Sequence, residues 1–193
     1  MRLRVMLFAL TILLPLPVFA EIATGGRVPD LSITDKGQLG LSDEKVVYSA
    51  WSYDQKPGKV QVVQYMAATR SASAMNKPFR EKMRASLPLD GSFESISIVN
   101  LDEAMWGTSG MVISELKSSK TEFPYAVMVV DENGLGLTTW QLKKESSAVI
   151  VTNEEGEVLY FKEGALSEEE IDSTIKLIHD AIGKSGTEAK TAS

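Results

Sequence analysis

The clearest periodic pattern in the chain lies near its C-terminus. Isoleucines recur there at helical spacing, and this predicts an amphipathic helix whose inner face carries Ile171, Ile175, Ile178 and Ile182. Ser167 and Glu170 stand three residues apart, as in a capping box, and acidic residues crowd the expected first turn. Gly183 is the expected terminator, because glycine readily adopts the left-handed conformation that ends many helices. We expect this helix to pack on one face of a sheet.

Strand patterns precede that helix. Residues 60–66 are β-branched and largely apolar, which is typical of a buried central strand. Residues 25–54 combine alternating apolar positions with a turn at Asp35-Lys36-Gly37, and they predict an N-terminal β-hairpin. Further strands are predicted at residues 93–99, 125–130, 148–152 and 157–161, with the last two joined by a turn into an antiparallel hairpin.

Two helices are predicted between these strands. A loop of small residues, 67–74, leads into a helix over residues 75–87, where Phe79 and Met83 lie four positions apart. A second helix is predicted over residues 110–120, with three apolar side chains turned inward, those of Val112, Ile113 and Leu116. The alternation of strands with helices predicts an α/β domain.

The first twenty residues have the form of a cleaved secretory signal. Arg2 and Arg4 precede an apolar stretch, residues 5–14, and Val18-Phe19-Ala20 provides a cleavage site ahead of Glu21. The alternative is a membrane anchor, but the apolar stretch is shorter than the roughly 20 residues that a spanning helix needs. We therefore expect a periplasmic protein with no stable membrane insertion after cleavage. Residues 184–193 are small and polar, so we expect a disordered tail.

Composition narrows the possible chemistry. The chain has 193 residues, no cysteine, one histidine, and 20 Lys and Arg against 26 Asp and Glu. Removing residues 1–20 takes away two arginines and no acid, so the formal net charge falls from −6 to −8. This acidity argues against nucleic acid as a partner, because nucleic-acid binding rewards clustered cations. The absence of cysteine excludes disulfides, thiol catalysis, iron–sulfur clusters and cysteine-rich zinc sites.

Several short motifs resemble those of one protein family. Gly26-Arg27-Val28-Pro29, Trp140-Gln141-Leu142 and Glu145-Ser146-Ser147-Ala148-Val149 are similar to segments of the YtfJ family, periplasmic thioredoxin-like proteins of Gram-negative bacteria. The resemblance implies a three-layer α/β/α thioredoxin-like fold with an N-terminal β-hairpin extension, as one domain over residues 21–183. Within that fold we expect the last helix on one face of the sheet and the helix after Ser73 on the other. The family does not imply a reaction.

The resemblance also locates a departure from redox relatives. The chain has Thr69-Arg70-Ser71-Ala72-Ser73 where a thioredoxin has its two cysteines, and Ser147 where such proteins have a cis-proline. A hydroxyl cannot replace a thiolate in disulfide exchange, and a non-proline cis bond costs about 2.5 to 4 kcal/mol, so we expect a trans bond there. Thiol–disulfide exchange and thiol-based peroxide reduction are therefore excluded.

The same loop is the candidate binding site. It leads into a helix N-terminus, where unpaired backbone N–H groups favour an anion, and Arg70 adds a bidentate hydrogen-bond donor. Ser147 is expected to face the loop, which makes the candidate binding residues Thr69, Arg70, Ser71, Ser73 and Ser147. The plainer alternative is that Ser71 or Ser73 caps the helix and Arg70 is solvated.

No catalytic residue, metal site or cofactor is predicted elsewhere. His179 is the only imidazole and stands near the end of the last helix, where the helix dipole favours a histidine. The acidic turns at 131–134 and 153–156 lack calcium-binding spacing, and 134–136 lacks the third glycine of a dinucleotide loop. Most of the six methionines after residue 20 are in contexts suited to core filling rather than to copper binding.

We therefore expect a non-catalytic binding protein that holds a peptide, a protein partner or a small anion at the former redox loop. The first alternative is an enzyme with non-thiol chemistry in the same cleft. A second alternative is a structural or regulatory partner that acts through an exposed sheet edge.

Overall fold

A computed structural model describes residues 21–88 and 90–191 of the chain. The predicted signal sequence, residues 1–20, lies outside the described residues, so it stays a prediction. Within the described residues, no helix is both long and apolar enough to cross a bilayer.

The described residues form one seven-stranded sheet with the order β2-β1-β5-β4-β3-β6-β7. Its strands are β1 (Ser32–Ser42), β2 (Lys45–Ser52), β3 (Val60–Ala67), β4 (Phe93–Asn100), β5 (Val127–Asp131), β6 (Ser147–Thr152) and β7 (Val158–Glu163). The three central strands β3, β4 and β5 are parallel, and the remaining pairs are antiparallel. All eight residues of β3 are buried, as the pattern of a central strand predicts.

Five helices connect or follow these strands in the described part of the chain. They are α1 (Arg70–Met75), α2 (Lys77–Ser86), α3 (Ser109–Glu122), α4 (Leu135–Thr139) and α5 (Glu168–Thr191), and a short 3-10 turn at Leu101–Glu103 follows β4. The helix predicted over residues 75–87 is confirmed as α2, which begins at Lys77. The loop predicted at residues 67–74 is wrong from Arg70 onward, because those residues form α1. The short helix α4 was not predicted, because its sequence between two turn-forming segments carries no helical periodicity.

One face of the sheet carries α2, α3 and α5. Because side chains alternate across a strand, Val60 and Val62 share a face of β3 with Met66. Val60 and Val62 contact Phe79 of α2 and the isoleucines of α5, and Met66 lies in the cluster against which α3 packs. The prediction that α2 and α5 lie on opposite faces is wrong. Right-handed crossovers that step from β3 to β4 to β5 put α2 and α3 on one face, and the hairpin before α5 leaves that helix free to join them.

The opposite face is covered mainly by irregular chain. Its core joins Val63, Tyr65 and Ile98 of the central strands to apolar residues of three other segments, Ile22, Val28, Leu31, Trp51, Tyr53, Leu137 and Trp140. The indole N–H of Trp140 donates to the Pro29 carbonyl oxygen at 2.9 Å, which fixes the N-terminal segment over this core.

The N-terminal hairpin is confirmed, but its turn lies elsewhere. The chain reverses at Asp43 and Glu44, which adopt positive φ values of 47° and 60°. The predicted turn at Asp35-Lys36-Gly37 is instead an irregularity inside β1, where the strand register shifts between Ile33 and Gln38. Gly37 is required there, because its φ is 70° and an added Cβ would lie 2.3 Å from the Ser49 carbonyl oxygen.

The last helix begins as predicted and ends later. The Ser167 backbone N–H donates to Glu170 Oε2 at 2.7 Å, and the Glu170 N–H donates to Ser167 Oγ at 3.2 Å, which confirms the capping box. The predicted end at Gly183 is wrong, because the helix continues to Thr191 and includes residues expected to be a disordered tail. Gly183 does not adopt positive φ, and a glycine inside a helix costs only about 1 kcal/mol relative to alanine.

Candidate functional site

A groove of about 910 Å³ lies between α2 and α3. Its floor is the helix-bearing face of the sheet and includes Met66, Ser97, Val99 and Met128. One of its ends is the start of α1, residues 69–73. We call it the α2–α3 groove. It exists because α3 packs loosely: none of its residues is fully buried, and its apolar side chains contact mainly the cluster around β1 and β5.

A row of cations forms one wall of this groove. Lys77, Arg80 and Arg84 line it from α2, and Arg70 lines it from the start of α1. Positions 77, 80 and 84 fall on one side of a helix. In the part of the chain that the structure describes, none of the three arginines forms an ion pair, and Lys77 has a long contact of 3.6 Å with Glu81.

Arg80 and Arg84 are held in place without neutralising their charge. The Arg80 Nη2 donates to the Ser73 carbonyl oxygen at 2.6 Å, and its Nη1 is buried with no hydrogen-bond partner among the described residues. Burial, and then the nearby charge of Arg84, lower the pKa of the Arg80 guanidinium from its ordinary value. The Arg84 guanidinium lies 3.9 Å from the centre of the Phe123 ring, a cation–π contact that leaves its N–H groups available.

The rest of the lining is mainly apolar and rich in methionine, with two acidic residues, Glu115 of α3 and Glu145. Met66 and Met128 lie in the floor, and Met105 and Met111 lie at the margin near the start of α3. Met105 is 72% exposed, Met111 is 55% exposed, and Trp106 beside Met105 is fully exposed. These three residues form an apolar lip next to the groove.

A polar side chain is buried beside the floor. Gln64 of β3 pairs in register with Ser97 of β4, so the two side chains are neighbours on the helix-bearing face. Gln64 is 2% exposed, and neither its amide nitrogen nor its amide oxygen has a hydrogen-bond partner among the described residues. Ser97 lines the groove and Gln64 does not, so the polar group that the floor offers to a ligand is the Ser97 hydroxyl.

The structure brings four of the five predicted binding residues together at the groove. Thr69, Arg70, Ser71 and Ser73 all line it. Thr69, rather than Ser71 or Ser73, caps α1, because its Oγ1 accepts the Ala72 N–H at 3.2 Å. Since α1 has only six residues, we assign no anion site to its N-terminus alone.

Ser147, the fifth predicted binding residue, does not line the groove. It is buried at the start of β6, and its Oγ is 3.2 Å from the Nδ2 of Asn76. That same Nδ2 donates to the Gly164 carbonyl oxygen at 3.0 Å, and the Asn76 Oδ1 accepts the Leu166 N–H at 3.0 Å. Asn76 therefore ties the start of α2 to β6 and to the segment before α5. Asn76 directly precedes Lys77 and Pro78, and a proline in the first turn is a signal for the start of a helix. This signal could have identified Asn76 as the residue before α2.

A buried polar network lies at the other face of the sheet, where β3 and β5 end. The Tyr65 hydroxyl donates to Asp131 Oδ2 at 2.8 Å and accepts the Leu137 N–H at 2.9 Å. The Asp131 carboxylate also accepts the N–H groups of Leu135 and Gly136, at 2.9 and 2.8 Å. Sequence reasoning treated Asp131 only as a turn residue, because nothing local shows that a tyrosine from a distant strand reaches it. The network anchors α4.

The other candidates take no part in the groove. His179 Nε2 lies 2.9 Å from the Ser86 carbonyl oxygen, so the histidine joins α5 to the end of α2. Across residues 21–88 and 90–191, no three His, Asp or Glu side chains are grouped as they would be to hold a metal ion.

Comparison with known proteins confirms the family. The family described as "Bacterial protein of unknown function (YtfJ_HI0045)" matches residues 22–181. The chain belongs to the YtfJ family. It is 39% identical over 184 residues to the uncharacterised protein YtfJ of Escherichia coli K12, covering 94% of this chain and 100% of that one. It is 30% identical over 152 residues to an uncharacterised protein of Haemophilus influenzae, covering 79% and 83% of the two chains.

Solved structures confirm the fold of this YtfJ-family chain. The thioredoxin domain of a thiol–disulfide oxidoreductase from Bacteroides vulgatus superposes with a TM-score of 0.55 at 16% identity, covering 81% of this chain and 97% of that one. The fold is therefore thioredoxin-like. The redox chemistry of such proteins needs a thiolate, and this sequence contains no cysteine. No peptide bond among the described residues is cis, as expected for the bond before Ser147.

Proposed function

We propose that this protein is exported to the periplasm and acts there as a non-catalytic binding protein that holds an anionic ligand in the α2–α3 groove. The observation that carries the proposal is the wall of Arg70, Arg80 and Arg84, which lines a largely apolar groove and forms no ion pair in the described structure. With Lys77 the lining carries four cations against two acids, Glu115 and Glu145, so its balance is positive. Arginine is most often paired or solvated, and three unpaired arginines at one groove favour a negatively charged ligand.

The surroundings of the wall support binding rather than mere solvation. The buried, unpartnered Nη1 of Arg80 is a donor that water cannot reach freely, and a ligand oxygen at this point would satisfy it. The apolar floor lowers the local dielectric, which strengthens attraction between the wall and an anion. Binding uses only groups that the groove contains, and it needs no thiol.

Export is supported by the form of residues 1–20 and is tested separately. We expect the protein recovered from the periplasmic fraction of the producing cells to begin at Glu21, as measured by N-terminal sequencing and intact mass. Recovery of a chain that still begins at Met1, or a chain confined to the cytoplasmic fraction, would contradict the proposal.

Binding is tested with 8-anilino-1-naphthalenesulfonate, a dye that combines one anionic group with apolar rings. We expect saturable binding to the folded protein, and we expect Arg84→Gln to weaken it roughly tenfold, since hydrogen bonds to charged groups contribute about 1.5 to 3 kcal/mol. The matched control is Lys56→Gln, which removes an exposed positive charge at the opposite end of β3. Equal affinities for both variants, or no saturable binding by the parent, would refute the proposal.

A further inference from the structure

We propose that the ligand of the α2–α3 groove is an acidic, amphipathic peptide segment of a partner protein. Its carboxylates lie along the cationic wall, and its apolar side chains lie among the methionines. This inference rests on the proposed function and adds the chemical class of the ligand.

The shape of the charge distribution favours a chain with repeated negative charges. Lys77, Arg80 and Arg84 form a row along α2 that spans roughly 10 Å at 1.5 Å per residue, and Arg70 adds a fourth cation from α1. A compact anion or a fatty acid carries its charge at one point and would leave most of this row unpaired. Carboxylates spaced along a peptide can meet several of these cations at once.

The apolar side of the groove favours a peptide over a nucleic acid. Four methionines, Met66, Met105, Met111 and Met128, line it, and methionine provides a flexible apolar surface of the kind that peptide-binding grooves use. Nucleic-acid strands are held instead by stacking on exposed aromatic rings and by an excess of cations. Removal of residues 1–20 leaves a formal net charge of −8, which opposes a polyanion that extends beyond the cationic row.

The size of the groove and its lip fit a segment that continues beyond it. A volume of about 910 Å³ is near the upper end of the roughly 300–1,000 Å³ of small-molecule pockets. Met105, Trp106 and Met111 extend the apolar surface outward beyond the groove. Large apolar side chains grouped on a surface mark sites of protein association. A peptide anchored in the groove can cover this lip, whereas a small molecule would leave it bare.

The groove lining holds polar groups that a peptide ligand can satisfy. Arg80 lines the wall, and its Nη1 has no hydrogen-bond partner in the described structure, so it is suited to a peptide carboxylate or carbonyl oxygen. Ser97 offers a hydroxyl in the floor. A peptide backbone carries an acceptor and a donor on each residue and can pair with such groups.

The experiment measures fluorescence anisotropy of a labelled twelve-residue peptide whose glutamates and leucines occupy opposite sides of a helix. Three comparison ligands are a scrambled peptide of the same composition, the same pattern with lysine in place of glutamate, and a single-stranded oligonucleotide of equal charge. We expect the patterned acidic peptide to bind the full protein at least tenfold more tightly than each comparison ligand. Equal binding of the scrambled peptide or the oligonucleotide would overturn the inference, because charge alone would then suffice.

Substitutions in the groove and far from it test where the peptide binds. Lys77→Glu changes a largely exposed side chain that is not needed for packing, and we expect it to weaken peptide binding about tenfold. Met111→Ser, at the exposed lip, is expected to weaken it several-fold. Lys56→Glu, which makes the same charge change far from the groove, should stay within twofold of the parent. Unchanged affinity in both groove variants would overturn the inference, and circular dichroism checks that each variant is folded.

Binding of the dye tests the proposed function independently of the peptide inference that rests on it. If the anilinonaphthalenesulfonate binds at the groove and the peptide does not bind, the anionic-ligand function stands and the peptide class is wrong. If neither probe binds the folded parent, both proposals fail.

Discussion

Replacing Tyr65 by phenylalanine removes a single oxygen atom from the buried polar network around Asp131. The Tyr65 side chain is 2% exposed, and its hydroxyl bonds both the Asp131 carboxylate and the Leu137 N–H. A hydrogen bond to a charged group contributes about 1.5 to 3 kcal/mol, and a buried N–H left without a partner costs about 1 to 3 kcal/mol. Because both effects arise from one atom and are not additive, we expect a loss of about 3 kcal/mol in the free energy of unfolding.

The loss is measured by urea denaturation at pH 7, followed by circular dichroism and tryptophan fluorescence. For a chain of this length each 1 kcal/mol corresponds to about 2 to 4 °C, so the melting temperature should fall by roughly 6 to 12 °C. The control is Tyr125→Phe, the same chemical change at a side chain that is 90% exposed, which should leave stability unchanged. A loss below about 0.5 kcal/mol in Tyr65→Phe would refute the assigned role of the network.

Raising the pH tests the same network, because the pKa of Tyr65 determines whether stability rises or falls. Burial, and then the charge of Asp131, raise the pKa of Tyr65 above its ordinary value of 10.0. In the unfolded chain this phenol ionises near that value, while in the folded protein it stays neutral. The stability that Tyr65 contributes is therefore complete below pH 10 and decreases as the pH rises further. The difference in stability between the parent and Tyr65→Phe should narrow above pH 10.

Three further predictions concern other contacts. Asn76→Ala removes an amide that makes three buried or half-buried hydrogen bonds, and we expect urea denaturation to show a loss of about 3 kcal/mol. Gly136→Ala should cost about 1 to 3 kcal/mol in the same assay, because its Cβ would lie 2.4 Å from Cε2 of Tyr65. The Lys162 hydrogen bond, and then the Ser167 N–H, lower the pKa of Glu170, so its contribution is present above pH 4.5 and is lost as the pH falls further. Glu170→Gln should therefore show a weaker fall in melting temperature between pH 5 and pH 3.

Each of these predictions has a matched comparison. Ser147→Ala removes one of the three Asn76 contacts and should cost well under half as much as Asn76→Ala; equal losses would contradict the assigned junction. Gly110→Ala adds the same methyl group where nothing lies within 4 Å, so it should not destabilise, and a loss as large as that of Gly136→Ala would argue against the steric account. An acid profile of Glu170→Gln that matches the parent would show that this carboxylate is not coupled to folding.

The local sequence pattern predicted burial correctly wherever burial follows the periodicity of a single helix or strand. Ile171, Ile175 and Ile178 of α5 and the apolar run of β3 are buried as predicted, and Ile182 is partly buried. Tertiary packing only had to cover faces that the sequence had already made apolar. The capping box at Ser167 is equally local, since its two hydrogen bonds join residues three positions apart. Helix α1 was missed because residues 70–74 are small or polar and carry no apolar periodicity.

The candidate site was predictable only in part. Residues 69–73, which the resemblance to thioredoxin-like proteins singled out, follow the central strand and line the groove as the cap and first turn of α1. The row of Lys77, Arg80 and Arg84 was present in the sequence at helical spacing, yet such a row is usually a solvated helix face. Its role depends on the gap between α2 and α3, and no local pattern records how loosely a helix packs against a sheet.

The sequence by itself determined the central strand, the terminal amphipathic helix, the absence of thiol chemistry and the membership of a thioredoxin-like family. These properties depend on residue identity and on contacts within a few positions. Only the tertiary structure decided that α2, α3 and α5 share one face, that Ser147 is a buried partner of Asn76, and that four cations meet methionines across an open groove. Contacts between residues far apart in the chain arise from crossover direction and close packing, which no local segment specifies.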